Sequence, residues 1–171
     1  GYIRDLAAQG KPVPSLFQIH TLRLEGVFGD AMHTMDLGVA SHLCGNIMHE
    51  VMESQPWGAN QEQRAAVLNE KLNDYYKRTK EKHRIDGRLT FARIKKSGDW
   101  PKFLGKAAST RRLAVFCLEL ACRFDSGSEH DKLRKGTAVA LVRIYDIFCE
   151  EPRFMSPSAK LELSRLSKAF M

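Results

Sequence analysis

From Asp36 onward the apolar residues of this chain recur at steps of three and four, and that periodicity constrains the fold more than any other feature. Residues so spaced share one face of a helix, so a chain with successive stripes must bury helix against helix. Leu37, Ala40, Cys44, Ile47 and Val51 form the first stripe. Asp36 is placed to cap its start, because a carboxylate there accepts the unpaired amides of the first turn. Pro56-Trp57-Gly58 stops it. A second helix, capped by Asn60, runs to about Arg84 on Ala65, Leu68, Leu72, Tyr75 and Thr79, and Asp86-Gly87 breaks it. A short helical turn falls at Leu89–Ile94. Trp100-Pro101 opens a stretch to Phe124 through Leu104, Ala108, Val115, Leu118 and Cys122. A long helix from Glu129 to Glu150 carries Leu133, Thr137, Ala140, Ile144 and Phe148, and Pro152 ends it. Ser156-Pro157 starts a last helix with Leu161, Leu163, Leu166 and Phe170.

The part before Asp36 reads differently. Gly10-Lys11-Pro12-Val13-Pro14 marks a loop, and residues 19–29 alternate in part before ending in glycine, as a short strand does. The sequence therefore predicts a mainly α fold: an extended segment over residues 1–35, then a helical region over 36–171 with five or six helices.

Several classes fall away. No run of 18 apolar residues offers a membrane span, and no secretory signal opens the chain. An apolar share of 43% over 171 residues argues against disorder. Cys44, Cys117, Cys122 and Cys149 have apolar neighbours and no CxxC or zinc-finger spacing, so they read as buried free thiols in a reducing, intracellular compartment. Phosphate-loop, nucleophile-elbow, dinucleotide and kinase signatures are missing. The start on Gly1 and a last helix without a stop signal lead to the expectation of a piece of something longer.

Charge is unevenly placed. Lys71 to Arg112 holds 14 basic and 4 acidic residues, an excess of +10, while the whole chain carries +7. Tyr75, Tyr76, Phe91, Trp100 and Phe103 interleave the basic run. Such a surface gains affinity for a polyphosphate by releasing its counterions. The candidate DNA contacts are Lys77, Arg78, Lys82, Arg84, Arg88, Lys95, Lys96, Lys102, Lys106, Arg111 and Arg112. A solvated surface with long side chains lying over core aromatics fits the same residues.

Coordinating groups concentrate elsewhere, at His20, Asp30, His33, Asp36, His42, His49, Glu50 and Glu53. Asp30 follows a short apolar segment bounded by glycines, a place where a strand-end carboxylate could hold Mg²⁺; an ordinary turn aspartate fits equally. His42 and His49 lie two helical turns apart, too far to share one zinc. On their helix Gly38, His42, Gly45, Asn46, His49 and Glu53 oppose the apolar stripe. Two glycines on one face point to a close approach, by another helix or a nucleic-acid backbone; a solvated polar face with incidental glycines fits the same residues.

The string Gly29-Asp30-Ala31-Met32-His33-Thr34-Met35-Asp36-Leu37-Gly38-Val39-Ala40-Ser41-His42-Leu43 resembles the Asp-x-Met-His segment of eukaryotic CACTA (En/Spm-like) DDE-type DNA transposases, over about residues 26–48. The resemblance implies the middle of a ribonuclease-H-like core with its helical insertion. It also implies metal-dependent phosphoryl transfer on DNA in a nuclear protein. In this implication Asp30 is a metal-binding catalytic carboxylate with Mg²⁺ or Mn²⁺, and His33 is the motif histidine. The first and third carboxylates of such a site have no evident counterpart, so this stretch would be inactive alone. The alternative is a noncatalytic basic helical module that binds nucleic acid or a protein partner.

Overall fold

A computed structural model describes residues 32–95, 100–152 and 155–170, all within the unit Ala31–Met171. The expected mainly helical architecture holds, and no strand occurs among the described residues. A π-helical segment, Met32–Ala40, runs directly into α1 (Ser41–Ser54). Then come α2 (Gln61–Thr79), the single turn α3 (Phe91–Ile94), α4 (Ala107–Arg123), α5 (Glu129–Glu150) and α6 (Pro157–Ser167), closed by a 3₁₀ turn, Lys168–Phe170. No described helix is long and apolar enough to cross a membrane.

The central element is α1, which packs on α2, α3, α4 and the π-helical segment. Its buried arc is wider than the expected stripe. Met48 and Met52 are fully buried beside Cys44, Ile47 and Val51. They meet Leu68, Leu72 and Tyr76 of α2 and Leu113, Phe116, Cys117 and Leu120 of α4 in one core. A second, smaller cluster joins Ala40, Ala114, Leu141 and Tyr145, tying α5 to α4 and to the π-helical segment.

Two of the expected caps are present. Asn60 accepts the Gln63 amide at 2.9 Å, and Ser156 accepts the Ala159 amide ahead of Pro157. The cap assigned to Asp36 is overturned. Helical winding already starts at Met32, so residues 32–35 are helical rather than extended, and Asp36 lies inside the π-helical segment. Where π winding gives way to α winding, the hydrogen-bond register changes and a carbonyl loses its regular partner. The buried Ser41 hydroxyl sits there, 2.7 Å from the Leu37 oxygen and 2.9 Å from that of Gly38.

Two other boundaries differ from expectation. α2 stops at Thr79, because Lys80 turns left-handed (φ 54°) and returns its amide to the Tyr76 carbonyl. α4 starts at Ala107 instead of Trp100. The preceding residues are held extended by bonds from the amides of Lys102, Phe103 and Leu104 to the carbonyls of Ile94, Ser41 and Arg93. Its buried face is consequently Thr110, Leu113, Phe116, Cys117 and Leu120, leaving Leu104, Ala108, Val115 and Cys122 exposed. All four thiols are free, but only Cys44 and Cys117 are buried, and Cys122 and Cys149 face outward.

Gly45 answers the question of close approach. A Cβ there would lie 2.6 Å from the backbone of Lys102 and Phe103. The neighbour that needs the glycine is the chain's own extended segment, not a second helix or a nucleic acid.

Candidate nucleic-acid interface

Asp30, expected at a strand end, lies outside the described residues. His33 is exposed on the π-helical segment. The next carboxylate, Asp36, is only 1% exposed. Arg111 of α4 grips it in a fork, with Nε 3.3 Å from Oδ1 and an Nη 2.8 Å from Oδ2. The Tyr145 hydroxyl of α5 donates to Oδ1 at 2.7 Å. A buried carboxylate needs such a complete set of donors, and a two-pronged guanidinium is the strongest available. The Arg111 guanidinium also lies 5.3 Å from the Tyr145 ring centre. Burial and the hydrogen bond to Asp36 push the Tyr145 phenol far above its usual range, and the same carboxylate raises Arg111. This clasp joins three elements through residues 36, 111 and 145. Its sequence signal was a phase: Asp36 extends the Ala40–Cys44 stripe by one step of four.

The other members of the coordinating cluster are taken up separately. Glu50 receives His130 at 3.0 Å and Arg134 at 3.3 Å, both from α5. Glu53 pairs with Arg64 at 2.8 Å. His49 packs on Phe91, and burial followed by the nearby Lys95 charge lowers its pKa. Among the described residues no three His, Cys, Asp or Glu side chains converge as a metal ligand set. The Asp36 oxygens are directed at Arg111 and Tyr145, so the described donors do not fit Mg²⁺ or Mn²⁺.

The basic run divides into two populations. Lys77, Arg78, Lys106 and Arg111 pair with Asp74, Glu119, Asp86 and Asp36. Arg84 lies over the Tyr76 ring. Arg93, not a candidate contact, holds the chain together through the carbonyls of Asp86, Arg88 and Leu104. By contrast Lys82, Arg88 and Arg112 are exposed and have no acidic partner among the described residues, and the same holds for Lys80. Lys95 and Lys102 are half-buried beside the extended segment, and Lys96 lies outside the described residues.

One of these unpaired cations, Arg112, lines a cleft of about 330 Å³ together with Asp36, His83, Ala107, Ala108 and Arg111. The Lys106–Asp86 pair and the Arg93 contacts bring residues 83–88 beside the amino end of α4. No side chain caps that end. Its first-turn amides and positive dipole end therefore add to the charge of Arg112. The one acid in the wall, Asp36, is buried and matched by Arg111. His83 is a member that the sequence did not single out; only its position inside the basic run marked it. No protein-family model, no curated protein and no solved structure matches the chain.

Proposed function

We propose that this chain is a basic helical module that holds a nucleic-acid backbone. The observation that carries the reading is the cleft at the amino end of α4. There His83 and, from a stretch well separated in sequence, Arg111 and Arg112 line one cleft, whose single acid, Asp36, is already matched by Arg111. Backbone phosphates are the natural ligand of unpaired guanidinium groups and uncapped helix amides. The test is binding to duplex DNA by fluorescence anisotropy across a salt series. Affinity is expected to fall linearly on logarithmic axes, with a slope of about −0.9 per phosphate contact. No binding at low salt overturns the proposal.

The resemblance over residues 26–48 supports a more specific version, in which the module is the DNA-holding helical part of a DDE transposase. Asp30 would supply a carboxylate to Mg²⁺ in the intact protein, and the clasp on Asp36 would fix the helix that follows it. Asp30→Asn is then expected to abolish Mg²⁺-dependent nicking by the intact protein and leave DNA affinity unchanged. Nicking that survives Asp30→Asn overturns this version.

A further inference from the structure

Residues 100–104 alternate with a period of two. Pro101 and Phe103 point inward and are buried, whereas Trp100 and Leu104 point outward and are 84% and 45% exposed. Lys102 lies between those two on the outer side, as alternate residues of an extended segment do. The segment is firmly seated. Its amides at 102, 103 and 104 bond at 2.9, 2.8 and 2.7 Å to three separate carbonyls, and Gly45 lets Phe103 press onto α1. Trp100 therefore projects two residues ahead of an anchored stretch. The Lys102–Ile94 bond also brings Lys95, the residue after Ile94, alongside.

An exposed indole on the same side of an extended segment as a lysine has two complementary halves. The flat ring accepts another flat ring, and the cations accept the charges that accompany it. An unpaired nucleotide offers both, a base and a phosphate, whereas a paired duplex hides its base faces in the stack. We infer that the Trp100–Lys102 edge, with Lys95, is a stacking platform for single-stranded nucleic acid. This rests on the nucleic-acid reading above and specifies the form of strand that this edge takes.

The chain has two tryptophans, and Trp57 is edge-packed on Phe124 at 5.4 Å between ring centres, a contact that Phe can keep. The full chain carrying Trp57→Phe thus reports on Trp100 alone. Oligothymidylate is expected to quench its emission, and a duplex of the same length is not. Trp100→Ala is expected to lower oligothymidylate affinity about 5- to 150-fold, the range for loss of one stacked base, with duplex affinity unchanged. Because the indole is exposed, folding of that variant is checked simply by an unchanged urea midpoint. If both nucleic acids bind but Trp100→Ala changes neither affinity, the platform is overturned and the basic-cleft reading survives. If neither binds at low salt, both are overturned. Emission that responds to phosphatidylserine vesicles but not to oligothymidylate also overturns the platform, in favour of a lipid surface.

Discussion

Arg111 and Arg112 are adjacent in sequence and both line the same cleft, yet they belong to different regions of the molecule. Arg111 reaches inward to a carboxylate that is almost wholly buried. Arg112 stays exposed in the cleft's lining with no acidic partner, and Lys82 and Arg88 are likewise exposed and without an acidic partner among the described residues. A formal charge counts the two arginines equally, but removing them does opposite things. One removal strands a buried anion and the other empties a solvated position. A basic run is thus a mixture of structural and available charge, and burial of the partner sorts them.

The largest effect follows from that contrast. Arg111→Ala leaves Asp36 buried with only Tyr145 as a donor, and breaking a buried pair from one side costs about 3–5 kcal/mol. Because the Arg111 side chain is 42% exposed, water relieves part of this, and a value near 3 kcal/mol is expected from urea unfolding. Arg112→Ala is expected to change stability by no more than about 0.5 kcal/mol. Equal effects at the two positions would erase the division between structural and available charge. Tyr145→Phe sharpens it, with an expected loss of about 1.5–3 kcal/mol for one hydrogen bond to a charged group.

A second contrast concerns two helical glycines. Gly45→Ala places a methyl group 2.6 Å from the backbone of Lys102 and Phe103, and such overpacking costs about 1–3 kcal/mol. Gly136 in α5 has nothing within 4 Å of the same added atom. Alanine there is expected to stabilise the chain by about 0.5–1 kcal/mol through helix propensity. Thermal melting separates the two outcomes by sign. A stabilising Gly45→Ala would mean that residues 101–105 do not lie on α1 in solution.

These contrasts also show how much was legible in the sequence. Stripes at steps of three and four placed every long helix, because each reports a face that must be covered by its neighbours. The phases on α4 and α5 were harder to read. The stripe through Val115 misses the buried Phe116 and Cys117, and the stripe through Leu133 points to a side chain that is 63% exposed. On a helix with apolar residues on several sides, which arc is buried depends on partners far along the chain. The cap on Asp36 failed for a related reason: its partners are 75 and 109 residues away, and no local pattern announces them. Gly45 was legible as a close approach but not as an approach by the extended 101–105 segment, since Trp100-Pro101 also reads as a helix start. The split of the basic run between paired and unpaired cations needed the positions of Asp36, Asp86 and Glu119 in space.

A pH effect tests a carboxylate that sits away from the cleft. Asp131 accepts the Ser126 hydroxyl and amide, and it pairs with Arg134 at 2.6 Å. The hydrogen bonds from Ser126 come first among the causes that hold its pKa down to about 2. A depressed folded-state value means that the ionised form favours the native state. Its contribution is complete above the ordinary carboxylate pKa of about 4 and disappears as the pH falls toward about 2. Asp131→Asn is therefore expected to be less stable than the parent at neutral pH. The two proteins should converge in acid when urea midpoints are followed across that window. A constant gap over the whole range would assign the loss to packing instead of charge.

The smallest effect on stability carries the most weight for function. Arg88→Glu and Arg112→Glu change exposed side chains with no acidic partner among the described residues, so urea midpoints should barely move. On duplex DNA each reversal is expected to weaken binding at low salt and to lower the magnitude of the salt slope by about one contact. Reversing Lys77, which already faces Asp74 at 3.5 Å, supplies the comparison, because two acids would then sit together on α2 away from the cleft. If the reversal at Lys77 weakens binding as much as that at Arg112, the attraction comes from overall charge, and the cleft has no special part in it. If only Arg88 and Arg112 respond, the region around the amino end of α4 is where the phosphates lie. The inner wall of Asp36, Arg111 and Tyr145 is then the frame that keeps that end in place.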